Sequence, residues 1–179
     1  MKGKIALEEH IESPGLLATG THNYPITIFR RCREAPAGVQ AAVGGYGRNG
    51  NRNYDSLSDP TGVEGIPQAK LAIDTAKKMN GHMANLFVKN NPDRFLGFAT
   101  APLQDPAAAA KELERAVKEL GFVGANINSY TNTGDENTAR YLDEQPVWEF
   151  WAHVEKLEIP VYLHARIPLP SLQRIYQGY

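Results

Sequence analysis

The chain has 179 residues, 42% of them hydrophobic and 22% charged, with a formal net charge of −1 and a single cysteine, Cys32. That length accommodates one ordinary core, the near-neutral charge offers no field for nucleic acid or an anionic membrane, and no apolar run approaches the ~20 residues that cross a bilayer. One cysteine excludes an internal disulfide and a thiolate metal cluster, and Glu8, Glu9 and His10 interrupt any signal-peptide core, so a cytoplasmic location is expected.

Lys4-Ile5-Ala6-Leu7 forms a short apolar strand ending in polar residues. Residues 12–66 lack a clear periodicity. From Gln68 to Lys89, Leu71, Thr75, Met79, Met83, Leu86 and Phe87 recur at helical spacing and predict one apolar face, stopped by Asn90-Asn91-Pro92-Asp93. Phe95-Leu96-Gly97-Phe98-Ala99 reads as a buried strand. Asp105-Pro106 then starts a helix, with Asp at the cap and Pro in the first turn. Its buried face is Ala110, Leu113, Val117 and Leu120, and Gly121 ends it. Phe122 to Asn128 is the next strand, followed by a polar loop through Thr131–Asn137. Pro146 to Leu157 predicts a helix burying Val147, Phe150, Trp151 and Val154, and Ile159 to His164 is the last strand.

This alternation of strand and helix, with continuous apolar strands, is the rhythm of a parallel α/β architecture covered on both faces. Repeats of about 30 residues fit an open sheet or a (β/α)8 barrel, and a complete barrel takes roughly 250 residues. The expectation is an open sheet or an incomplete barrel.

Several polar residues fall at strand C-termini, where parallel α/β folds collect ligands and metals. Residues two apart on a strand share a face, so Glu8 and His10 are expected to project together. A carboxylate and an imidazole are a donor pair for Zn²⁺ or Mn²⁺; a surface Glu-Glu-His turn is the plainer alternative. His164 ends the last strand, as a third donor or a locally hydrogen-bonded histidine. Asn128 ends the strand before it and suits a substrate carboxylate or hydroxyl, or a turn. Arg166 suits an anion or a surface ion pair. His82 and His153 fall within helices without partner spacing, and Gly44-Gly45-Tyr46-Gly47 lacks the Lys-Ser/Thr of a phosphate loop.

The opening Met1-Lys2-Gly3-Lys4-Ile5-Ala6-Leu7-Glu8-Glu9-His10 resembles that of the gamma-resorcylate and 2,3-dihydroxybenzoate decarboxylases, aromatic-acid decarboxylases of the amidohydrolase superfamily. So do Asn91 to Ala99, Pro102-Leu103-Gln104-Asp105-Pro106, Gly121 to Ala125, and Pro160-Val161-Tyr162-Leu163-His164-Ala165-Arg166, in the same order. His164-Ala165-Arg166 departs from the more usual His-Pro-Arg. The resemblance implies a (β/α)8 barrel of which this is the N-terminal half. It implies one divalent metal, Zn or Mn, on Glu8, His10 and His164, with Asn128 and Arg166 toward the substrate. The partner implied is a small aromatic acid, the activity is non-oxidative decarboxylation, and the complete enzyme is expected to be a homo-oligomer. A hydrolase of the same superfamily is the nearest alternative, although its usual His-x-His at the first strand is Glu8-x-His10 here.

The resemblance also implies that a further metal-ligand Asp and a catalytic His–Glu pair lie on strands beyond Tyr179. No catalytic proton donor is therefore assigned within these residues, and this stretch alone is expected to be inactive, as a fragment or mis-predicted gene product would be. Residues 12–56 fit the resemblance least. Asn49 to Ser56, read one nucleotide later with permitted codons, gives Met-Glu-Ile-Gly-Ile-Met-Ile-Leu, an apolar strand leading into Leu57-Ser58-Asp59-Pro60. A frame-shifted segment is one expectation; a genuine disordered insertion is the other.

Overall fold

The computed structural model describes the backbone of two strands, β1 (Lys4–Ile11) and β2 (Ile26–Cys32), and residues 62–92, 95–135 and 137–176 in full. His22, the 44–56 stretch and the side chains of Glu8, His10 and Cys32 lie outside the described residues.

A 3-10 turn at Gly62–Gly65 leads to α1 (Ala69–Met83), which runs on through a π turn at Ala84–Val88. Then follow β3 (Phe95–Thr100), α2 (Pro106–Leu120), β4 (Gly124–Asn128), and a small hairpin of β5 (Tyr130–Asn132) and β6 (Ala139–Tyr141). A 3-10 turn at Gln145–Val147 opens α3 (Trp148–Leu157), and β7 (Val161–His164) and the short α4 (Pro170–Gln173) follow. The main sheet has the order β1-β2-β3-β4-β7.

Strands β3, β4 and β7 are parallel, each joined to the next through a helix, as the strand–helix rhythm requires. In contrast, β2 lies antiparallel between β1 and β3, a departure from the all-parallel order of a closed barrel. Its sequence, Ile26-Thr27-Ile28-Phe29, has the β-branched and aromatic character that suits a strand. This element falls within residues 12–56, read from the sequence as aperiodic. The 131–137 loop also gains structure, because Tyr130–Asn132 pairs with Ala139–Tyr141 around Gly134.

Local signals set the helix ends. The Asp105 side chain accepts a hydrogen bond from the Ala108 N–H at 3.0 Å, with Pro106 at the first position. Gly121, at φ 77°, closes the helix in the left-handed conformation that glycine adopts without a Cβ penalty.

The core lies between the helices and the sheet, with Met79, Met83, Phe87, Phe95, Leu103, Leu113, Ile127 and Phe150 buried in one cluster. Val117, Trp151 and Val154 pack partly buried against it. Leu71 and Leu86 do not belong to the apolar face expected of them: they are 50% and 47% exposed. The buried stripe of α1 is instead Ala72, Thr75, Ala76, Met79 and Met83. The wider π turn at Ala84–Val88 then advances the face so that Phe87 and Val88, rather than Leu86, meet the core.

One polar network crosses this core. Asn80 donates from Nδ2 to Glu112 at 2.8 Å and to the Thr100 carbonyl at 3.0 Å, and its Oδ1 accepts from the Thr100 N–H at 3.0 Å. Arg115 completes it by donating to both Glu112 carboxylate oxygens, at 2.8 and 2.7 Å. Three elements, α1, α2 and β3, are tied in this way. Among the described residues, no helix is long and apolar enough to cross a membrane.

Candidate metal and substrate site

The parallel register of β4 and β7 pairs Asn128 directly with His164. Two residues separated by 36 positions thereby become neighbours at the C-terminal ends of adjacent strands, the end of the sheet where parallel α/β folds place chemistry. His164 is partly exposed, and its Nδ1 lies 2.6 Å from the Ala165 carbonyl oxygen. A carbonyl oxygen only accepts, so Nδ1 carries the proton and the lone pair belongs to Nε2. Backbone anchoring of one ring nitrogen is the arrangement that orients a metal-ligating histidine.

Arg166 turns back over the hairpin. Its guanidinium carbon is 4.1 Å from the centroid of the Tyr130 ring. Nη2 donates to Asn132 Oδ1 at 2.6 Å, and Nη1 donates to the Tyr130 carbonyl at 3.2 Å and, at 3.5 Å, to that of Glu64. Tyr130 is held in turn, its hydroxyl donating to the Ile167 carbonyl at 2.7 Å.

Glu64, which carried no motif in the sequence, lies at the centre of this group. It is 1% exposed. Its Oε1 accepts from the Asn128 backbone N–H at 3.0 Å, and its Oε2 accepts from Asn128 Nδ2 at 3.1 Å. Burial pushes the carboxyl above its ordinary value of 4.5, while the hydrogen bonds from Asn128 and the charge of Arg166 pull it back only in part. Gly62, at φ 59°, makes room for the pair. A Cβ there would stand 2.6 Å from Glu64 Oε2 and 2.9 Å from Asn128 Nδ2. The only sequence signal for Glu64 was a carboxylate in the Gly62-Val63-Glu64-Gly65 turn.

The structure thus brings Asn128, His164 and Arg166 to one end of β4 and β7 and adds Glu64. Glu8 and His10 lie on β1, one edge strand, and His164 lies on β7, the other. Curling of a sheet toward closure is what brings such edges together in a barrel. The pairing of β1 with β2 shifts register between Ala6 and Glu9. Among the described residues, no three His, Cys, Asp or Glu form a metal-holding group.

The amidohydrolase family matches residues 29–176. The chain belongs to that family. It is 39% identical over 180 residues to the gamma-resorcylate decarboxylase of Rhizobium radiobacter, covering 100% of this chain and 55% of the relative. The crystal structure of 2,6-dihydroxybenzoate decarboxylase from Rhizobium superposes with a TM-score of 0.63 at 48% identity, over 65% of this chain and 36% of that one. A dihydroxybenzoic acid decarboxylase from Polaromonas, with bound manganese and the inhibitor 2-nitroresorcinol, gives a TM-score of 0.62 at 46% identity, over 65% and 35% of the two chains. The chain therefore spans about half the length of the relatives it matches. Its fold class is that of an incomplete amidohydrolase barrel, and the parallel β3-β4-β7 unit is the part that follows barrel order.

Proposed function

We propose that these residues form part of a metal-dependent decarboxylase acting on an ortho-hydroxybenzoate. The observation that carries this reading is the adjacency of Asn128 and His164 at the ends of two parallel strands, with Arg166 fixed beside them.

In this reading Glu8, His10 and His164 hold one divalent cation, of which manganese has a precedent in a solved relative. The donor chemistry fits: two imidazoles and a carboxylate are an N/O set suited to Mn²⁺ or Zn²⁺, and the Nδ1–Ala165 hydrogen bond leaves Nε2 as the ligating nitrogen of His164. When bound, the cation supplies positive charge to the phenolate and carboxylate oxygens of the substrate.

The chain's own residues orient the acid. Asn128 contacts a substituent on the ring, and Arg166 supplies a fixed positive charge toward the carboxylate, its guanidinium held by carbonyls and by Asn132 so that little ordering is left to binding. Loss of carbon dioxide breaks the ring–carboxylate bond and requires a proton at the same ring carbon. That proton donor is assigned to strands outside these residues, so this stretch alone binds metal without turnover. The activity is proposed for a complete barrel, cytoplasmic and homo-oligomeric.

The test is carbon dioxide release from 2,6- and 2,3-dihydroxybenzoate with added Mn²⁺ or Zn²⁺, alongside metal titration by calorimetry. Metal binding without turnover, with turnover restored by a family-type C-terminal half, supports the proposal. Turnover by the 179 residues alone would overturn the assignment of the proton donor. Absence of stoichiometric metal binding would overturn the ligand set.

A further inference from the structure

The ladder between β4 and β7 stops at the pair Asn128 and His164. A second junction between the same two chain segments follows a few residues on. Tyr130, separated from Asn128 by Ser129 alone, donates its hydroxyl to the Ile167 carbonyl at 2.7 Å. In the other direction, Arg166 stands over the Tyr130 ring and donates from Nη1 to the Tyr130 carbonyl at 3.2 Å and from Nη2 to Asn132 Oδ1 at 2.6 Å. Tyr130 and Asn132 are 6% and 3% exposed, so this clasp is anchored in packed side chains. Residues 128–130 and 164–167 thus form a closed circuit, joined by the sheet at one end and by the clasp at the other.

The hydrogen bond that sets the His164 ring lies inside that circuit. Its Nδ1 meets the carbonyl of Ala165, the residue between His164 and Arg166. Because the peptide unit is planar, the direction of that carbonyl depends on the soft torsions on either side, ψ of Ala165 and φ of Arg166. Ala165 is exposed and carries only a methyl group, so its own side chain holds neither. Held at His164 by the ladder and at Arg166 and Ile167 by Tyr130, the peptide has little freedom left to turn. We infer that Tyr130 is a positioning residue for His164: by pinning the backbone beyond β7 it fixes the Ala165 carbonyl, and through it the tautomer and direction of the imidazole. This rests on the proposed role of His164 as a metal ligand. Tyr130 is assigned no contact with the metal; its effect passes through the backbone group that orients the ligand, as that of an outer partner does.

Three variants and two readouts separate this role from a purely structural one. Tyr130→Leu removes both the hydroxyl and the ring beneath the guanidinium, whereas Tyr130→Phe keeps the ring and removes only the hydroxyl. Asn80→Ala, whose hydrogen bonds go to Thr100 and Glu112, is the control that loses stability without touching the clasp. The first readout needs no metal: the imidazole nitrogen resonances of His164, followed by NMR where the ring is neutral, give the ratio of Nδ1–H to Nε2–H tautomers. That ratio is expected to fall by about 3- to 10-fold in Tyr130→Leu and by about twofold in Tyr130→Phe, within the worth of one hydrogen bond, and to be unchanged in Asn80→Ala. If Tyr130→Leu fails to fold, Tyr130→Phe decides alone. A parent-like ratio in the folded Tyr130 variant would overturn the inference.

The second readout is affinity for Mn²⁺, by calorimetric titration. A drop of about tenfold is expected in Tyr130→Leu, the lower end of the loss that follows removal of an outer partner of a metal-bound histidine. Asn80→Ala is expected to keep the parent affinity, a pattern that general destabilisation does not produce. An altered tautomer ratio with unchanged Mn²⁺ affinity would overturn the link to the metal. If the parent chain itself fails to bind Mn²⁺, the reading of His164 as a ligand fails, while the tautomer ratio still decides whether Tyr130 sets the ring.

Discussion

The central carbon of the Arg166 guanidinium stands over the Tyr130 ring, 4.1 Å from its centroid, while its nitrogens reach Asn132 and the Tyr130 carbonyl. Stacking and forked donation together fix a cation in one orientation, which an ammonium on a flexible stem cannot reproduce. Arg166→Lys is therefore expected to weaken hydroxybenzoate binding by about 10- to 100-fold, the range for a charge-assisted hydrogen bond, with the fold retained. Calorimetric titration of the variant checks this, and parent-like affinity would remove Arg166 from the substrate site.

Glu64 makes stability depend on pH. Burial holds its folded-state value above the ordinary 4.5, so the folded chain keeps the proton to a higher pH than the unfolded chain does. The contribution of Glu64 is then complete below the unfolded value and is lost as pH rises through the folded one. Glu64→Gln does not titrate. Its stability relative to the parent is expected to improve as pH rises above 4.5 and to level off once the parent carboxyl is ionised. Urea unfolding over a pH series measures the difference, and parallel curves for the two proteins would contradict it.

Asn80 supplies three hydrogen bonds to two elements, one of them to the buried Glu112 carboxylate. Asn80→Ala removes them all and leaves the Thr100 N–H and carbonyl unpaired beside the core. A loss of about 2–4 kcal/mol is expected, because unpaired buried polar groups cost more than a hydrogen bond contributes. Chemical denaturation provides the number; a loss below about 1 kcal/mol would mean that water replaces the asparagine.

His164 is the proposed metal ligand whose surroundings are described. Since loss of an outer partner of a metal-bound histidine typically costs about 10- to 100-fold in affinity, loss of the ligand itself is expected to cost at least that much. His164→Ala titrated with Mn²⁺ tests this, with His153→Ala, on the exposed side of α3, as the control. Equal affinities in the two variants would place the metal elsewhere.

The sequence by itself determined the repeating strand–helix order from Phe95 to His164, the Asp105 cap and the Gly121 stop, because each depends on residues within a few positions of one another. It also marked Asn128 and His164 as strand-end residues. Only the tertiary structure paired those two across the sheet, since register between β4 and β7 is settled by helices packed many residues away. Glu64 was illegible for the same reason: its partner is 64 positions distant, and a carboxylate in a turn is ordinarily solvated. The aperiodic segment concealed β2, whose place depends on pairing with β1 and β3 rather than on a helical or alternating pattern of its own. Leu71 stands beside rather than on the buried stripe of Ala72, Thr75, Ala76, Met79 and Met83, and Leu86 leaves the core face because a π turn changes the helical period after Met83.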